Sequence, residues 1–215
     1  MNILLIPGLN STGYSGNARS SALAVSLKAI SHSAGCTFHT VSLLDFKRFD
    51  TMSAQVEELL ENTEPNTTVV ASSFGVWLLL KALSRTNWVN PPFRHLVLAN
   101  PFTEVRSIYE VLPPLVREIP SYTGFWRKGG HGVKGFWTPP SLVRDMLDDA
   151  NDIYDGRLKN LTGCGQRITL VSNGKSYAPP SSILKLAKAL NIAETDVVYP
   201  EQPHLSRSDI EGILA

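Results

Sequence analysis

Short, wholly apolar runs alternate along this chain with longer stretches of helical periodicity. NILLIP (2–7) is apolar at successive positions, which suits a strand buried on both faces. SSALAVSLKAI (20–30) then spaces its apolar residues as a helix does. CTFHTVSL (36–43) has the β-branched and aromatic content of a strand, and SAQVEELLEN (53–62) sets Val56, Leu59 and Leu60 on one helical face. TTVVAS (67–72) predicts a strand and GVWLLLKALS (75–84) the helix after it. Two more buried strands follow in RHLVLANP (94–101) and QRITLVSN (166–173). The chain ends with a helix in SSILKLAKAL (181–190), a short strand in TDVVYP (195–200) and a closing helix in RSDIEGILA (207–215).

This alternation predicts the α/β class. About six parallel strands would carry helices on both faces, in a three-layer α/β/α sandwich joined by right-handed crossovers. The pattern breaks once, between residues 102 and 160, in a stretch rich in proline, glycine and aromatics. Core strands flank it on both sides, so it reads as a cap or lid insertion over one end of the sheet. The expected organisation is a single domain over 1–215 with 102–160 as that insertion.

Composition narrows the function more than the fold. With 215 residues, 43% hydrophobic and 18% charged, the chain has room for one core. Its formal net charge of +1 gives no reason to expect nucleic acid or an anionic membrane as partner. Cys36 and Cys164 have no metal-like spacing, and free thiols in a reducing compartment are expected. MNILLIPGLNSTG has no basic leader region, and its apolar stretch is too short for a signal peptide or a membrane span. A cytoplasmic protein is the resulting expectation. No glycine-rich nucleotide or dinucleotide loop is present, and nothing suggests a metal or cofactor.

The chemistry is concentrated in VVASSFGVWLLLKAL (69–83), a strand, a turn and a helix in immediate succession. Within it, Ser73 lies between small residues two before (Ala71) and two after (Gly75), the requirement of a nucleophile elbow. Such a turn holds the serine in a strained backbone conformation above the C-terminal edge of the sheet. The amide of Phe74, at the start of the helix, is then placed to bind an oxyanion. The same five residues also suit an ordinary connection with a serine N-cap. Ser72 is the competing hydroxyl, and it lacks the symmetric small neighbours.

With this turn in this context, the chain resembles a small member of the α/β-hydrolase superfamily, similar to minimal bacterial esterases and thioesterases. The resemblance covers nearly the whole chain apart from the insertion. It implies that IPGLNST (6–12) stands in the place of a loop that usually carries a His-Gly pair, with Pro7 where the histidine would be. It further implies the backbone N–H of Leu9 or Asn10 as second oxyanion donor, with Gly8 allowing close approach to the nucleophile. PGLNST also suits a plain βα loop ending in an N-cap.

A serine hydroxyl needs a general base. The family carries a histidine after the last strand, which here is His204, just before the closing helix. The other histidines fit worse: His32 follows the first helix, His39 lies in a strand, His95 opens a strand at the opposite edge, and His131 belongs to the insertion. The family's carboxylate commonly follows the penultimate strand. Matching Pro180 to the family proline puts that position on Ser176, and matching Pro179 puts it on Lys175. Neither is an acid, and no Asp or Glu occurs from Ser172 to Ser182.

Three alternatives stand open. Glu104, in LVLANPFTEV, is a substitute carboxylate from the end of the preceding strand, with Asn100 as a weaker neutral partner. In the second alternative, Ser176 or Asn173 orients the histidine by a neutral hydrogen bond, giving a slower enzyme. The third alternative is loss of catalysis. The Asp-rich RDMLDDANDIYD (144–155) reads as a solvated helix face.

Trp126, Phe136 and Trp137, with Tyr109, Leu112, Leu115 and Phe125, either wall an acyl pocket or pack the cap onto the sheet. WRKGGHGVKGFW (126–137) is basic and glycine-rich, as a lid would be. The function so implied is a serine hydrolase acting on a small-molecule carboxylic ester or thioester through an acyl-enzyme, without cofactor. The alternative is a non-catalytic or weakly active binding protein of the same fold.

Overall fold

The structure is a computed structural model that describes residues 2–8, 22–41, 49–85, 91–101, 161, 166–172, 180–200 and 207–214. Among the described residues five strands form one parallel sheet: β1 (Asn2–Ile6), β2 (Phe38–Thr40), β3 (Thr67–Ser72), β4 (His95–Ala99) and β5 (Arg167–Val171). Their spatial order is β2-β1-β3-β4-β5. Among the described residues the helices are α1 (Ala22–Ser33), α2 (Phe49–Glu61), α3 (Phe74–Arg85), α4 (Pro180–Ala189) and α5 (Arg207–Leu214). The insertion expected at 102–160 lies wholly outside the described residues.

Apolar side chains alternate between the two faces of the sheet and decide which helices cover which face. Leu4, Ile6, Val69, Ala71, Leu96 and Leu98 point to one side. There they meet Met52, Val56 and Leu60 of α2, most of α3, and Ile183, Leu186 and Ala187 of α4. Ile3, Leu5, Val70, Val97 and Val171 point the other way, against Ala24, Leu27 and Ile30 of α1 and Ile210 and Ile213 of α5. Both faces are therefore closed, as a parallel sheet requires. The three-layer sandwich expected from the alternation is what forms.

Two sequence expectations need correction. The sixth strand, expected at 195–200, is reduced to one parallel bridge between Val171 and Val198. Two backbone bonds hold it, from Ser172 N to Val198 O and from Val198 N to Leu170 O, both 2.9 Å. Glu194–Asp196 coils into a 3-10 turn, so the first half of the run is unavailable for pairing. On α2, Leu59 does not share the buried face with Val56 and Leu60. It is 37% exposed, while Met52, Val56 and Leu60 are sealed. The buried stripe follows i, i+4, i+8, and Leu59 falls one position off it.

His95 opens β4 at the N-terminal edge of the sheet, the end away from Ser73. It is buried, and its Nε2 lies 2.9 Å from Thr169 Oγ1 on β5. Burial, reinforced by the charges of Arg167 and Arg94, pushes its pKa down to about 4. Cys36 is a free thiol, and Cys164 lies outside the described residues. Among the described residues, no helix is long and apolar enough to cross a membrane.

Candidate functional site

The chain order β1, β2, then β3 on the other side of β1 makes the β1/β3 junction a topological switch point. Ligands in open α/β sheets bind in the crevice outside the carboxyl ends of the strands at such a point. Here the two chain segments leaving β1 and β3 are Pro7–Gly8 and Ser73.

Ser73 connects β3 to α3 with φ at 53°, in the left-handed region. A serine there is held against an intrinsic cost of about 1–2 kcal/mol, so the surroundings must over-determine it. They do so from three sides. Its N–H donates to Ala99 O on β4 at 2.9 Å, and its carbonyl accepts from Val76 N in the first turn of α3 at 3.0 Å. Gly75 lies so close to β1 that a Cβ there would fall 2.4 Å from Ile6 O and 2.6 Å from Pro7 O. The third side is Gly8, whose added Cβ would stand 3.1 Å from Ser73 Cβ, 3.2 Å from Ser72 O and 3.7 Å from Ser73 Oγ.

The requirement for small neighbours thus has a located cause. Ala71 is sealed within the sheet, and Gly75 lets the helix start against the backbone of Ile6 and Pro7. Ser73 itself stays half-buried, with Phe74 fully buried as the first residue of α3. Ser72 is the last residue of β3, paired with Ala99, and keeps ordinary strand backbone.

No family model matches the chain, and no match was found among curated proteins. Solved structures do match. Alpha/beta hydrolase domain-containing protein 10 from mouse superposes with a TM-score of 0.60 at 17% identity, over 99% of this chain and 86% of that one. The chain has the α/β-hydrolase fold. The ydeN gene product of B. subtilis matches over 100% of this chain and 91% of its own, with a TM-score of 0.57 at 14% identity. A structure from the study of the metagenome-derived lipolytic enzymes LipS and LipT matches at 0.59 and 13%, over 93% and 83%.

Within this hydrolase fold the described residues bring Gly8, Ser73 and Phe74 together at the switch point. His204, Ser176, Glu104, Leu9 and Asn10 lie outside the described residues, as do Trp126, Phe136 and Trp137. Among the described residues no group of three or more His, Cys, Asp or Glu is placed to hold a metal ion.

Asn100, offered by the sequence as a weaker neutral partner for the histidine, has a backbone conformation that the sequence did not suggest. It lies directly after β4, has φ at 50° and donates its N–H to Val171 O at 2.8 Å. Asparagine tolerates this backbone region better than most residues, and that tolerance was the signal available in LANP.

Proposed function

We propose that the protein is a serine hydrolase that cleaves a carboxylic ester or thioester through an acyl-enzyme on Ser73. The observation that carries this reading is the left-handed backbone of Ser73, at φ 53° between β3 and α3 at the switch point. Residues held in such conformations cluster where strain serves a site, and an ordinary N-cap serine has no need of one.

In this reading His204 takes the Ser73 proton as Oγ attacks the acyl carbon. The amide of Phe74 and that of Leu9 or Asn10 stabilise the oxyanion. The imidazolium then protonates the leaving alcohol or thiol. Water, activated by the same histidine, attacks the acyl-enzyme, releases the acid and restores Ser73. The cap at 102–160, with Trp126, Phe136 and Trp137, would shape the acyl pocket. Ser176 holds the position of the triad acid by resemblance, and Glu104 is the substitute carboxylate.

The test is hydrolysis of a panel of p-nitrophenyl esters and acyl thioesters by wild type, Ser73→Ala and His204→Ala. Turnover by wild type with loss in both variants supports the reading. Turnover that survives Ser73→Ala refutes it. A binding protein of the same fold is the second reading, favoured by the lack of any Asp or Glu between Ser172 and Ser182. Specific ligand binding with no turnover by any variant would favour it.

A further inference from the structure

Away from the turn at Ser73, the described residues enclose a cleft of about 250 Å³ that the proposed reaction does not use. Val41, Gln55, Glu58, Leu59 and Asn62 line it. It lies on the flank of the sheet, because β2 is the outer strand in the order β2-β1-β3-β4-β5. Val41 continues that strand, its N–H donating to Leu5 O at 3.2 Å. The other four residues come from α2 and the position just after it, at i, i+3, i+4 and i+7, which is one stripe of a helix. β1 separates this flank from β3 and Ser73.

The lining sorts by chemistry. Val41 and Leu59 form an apolar wall, and Leu59 is one of the few large apolar side chains that the described surface leaves exposed. The polar members offer acceptors. Asn62 commits its Nδ2 to Glu58 O at 2.8 Å, which leaves Oδ1 as its uncommitted atom. Gln55 Oε1 is enclosed and takes no hydrogen bond, an arrangement that buried amide oxygens rarely keep. Glu58 is exposed, and its carboxylate makes no ion pair among the described residues. The helix end adds to this charge. α2 carries Glu58 and Glu61 toward its C-terminus and has no basic residue in its last turn, so nothing there offsets the negative end of the helix dipole. An apolar wall bordered by a carboxylate and unmatched acceptors calls for hydrogen-bond donors and positive charge on an apolar chain.

We propose that this cleft is a binding site for an aliphatic primary ammonium ion, as carried by a short alkylamine or a lysine side chain. The ammonium has three donors and no acceptor. It donates to the Glu58 carboxylate, to Asn62 Oδ1 and to Gln55 Oε1, whose terminal amide turns to meet it. The methylenes lie along Val41 and Leu59. An anion would be repelled by Glu58, and a purely apolar ligand would leave the Gln55 oxygen unmatched. The volume is below that of pockets that hold drug-sized ligands and suits one such chain. The assignment is independent of the serine-hydrolase reading.

The experiment is titration of the full, 15N-labelled chain with n-pentylammonium chloride, followed by amide chemical shifts, beside n-pentanol as the uncharged control. The expected result is saturating shifts centred on Val41, Gln55, Glu58, Leu59 and Asn62, with n-pentanol binding more weakly. Glu58→Gln should weaken the ammonium roughly fivefold, the upper weight of an exposed ion pair. Glu61→Gln, one turn on at the same helix end but outside the cleft, should leave the affinity within about twofold of wild type. The spectra of both variants report their folding directly. A parallel titration with Nα-acetyl-lysine amide distinguishes the sources: binding as strong as the alkylamine extends the site to lysine side chains, and binding by the alkylamine alone confines it to free amines, either result upholding an ammonium site. Shifts that never saturate or that spread over the exposed carboxylates overturn the assignment. So does an affinity unchanged in Glu58→Gln, or n-pentanol binding as well as the ammonium. None of these outcomes bears on Ser73.

Discussion

Gly8 and Ser73 stand so close that a single added Cβ on the glycine would lie 3.1 Å from the serine Cβ. The same atom would be 3.7 Å from Oγ. The loop after β1 therefore borders the hydroxyl directly, and its width at Gly8 is a property of the site rather than of the core.

Gly8→Ala and Gly75→Ala should separate along that line. At Gly75 the added methyl meets backbone, 2.4 Å from Ile6 O, and neither partner can yield without moving β1 or α3. Overpacking of this kind costs about 1–3 kcal/mol, which for a domain of this size lowers Tm by roughly 2–12 °C. At Gly8 the contacts are 3.1 and 3.2 Å and relax by small shifts, so Tm should change little while fluorophosphonate labelling slows. Paired thermal melts and labelling rates check both expectations.

Ser73 itself should show a conflict between stability and reactivity. Ser73→Gly relieves the left-handed backbone, whereas Ser73→Ala keeps the strain and loses the hydroxyl. The glycine variant is expected to be more stable than the alanine variant by about 1 kcal/mol, with neither labelled. Urea denaturation of the two proteins measures the difference. Equal midpoints would mean that the turn is not strained.

The other end of the sheet sets a pH dependence. His95 has its folded pKa lowered from 6.5 to about 4, so the unfolded chain takes up the proton first. This contribution is complete above pH 6.5 and is lost as pH falls toward 4, on the order of 2–3 kcal/mol across that window. His95→Gln should flatten the slope of unfolding free energy against pH between 6.5 and 4 relative to wild type. A mutant with the wild-type slope contradicts the assignment.

On α2, Leu60→Ala should cost about 2–4 kcal/mol, because Leu60 is fully sealed in the core. Leu59→Ala, at a residue 37% exposed, should cost about 0.5 kcal/mol or less. Chemical denaturation of the two variants distinguishes the neighbours.

The legible parts of this protein were those set by local pattern. The doubly apolar runs around Leu4, Val69 and Val97 could only be central parallel strands, and β3 runs over Thr67–Ser72 as its sequence suggested. The turn at Ser73 was legible too, because close packing against Ile6 and Pro7 leaves no room for a side chain at Gly75, and Ala71 is sealed within the sheet. The sixth strand was not. Val197 is buried, but Val198 and Tyr199 are exposed, and the 3-10 turn through Asp196 takes residues that pairing would need. Leu59 misled because a helical face read from three residues does not fix which edge of the stripe meets the sheet. The conformation of Asn100 was hidden for a different reason. Its N–H is bonded to Val171 O on β5, a tertiary contact that local pattern does not show, and the proline after it argues locally for extended backbone.

The most direct test of the account is intact-mass analysis of folded wild-type protein after incubation with a fluorophosphonate, beside Ser73→Ala and His204→Ala. One adduct per wild-type chain, mapped to Ser73 and absent from both variants, is the expected result. An adduct on Ser72, or a folded wild type that stays unmodified over hours, would contradict the claim that this turn presents an activated nucleophile.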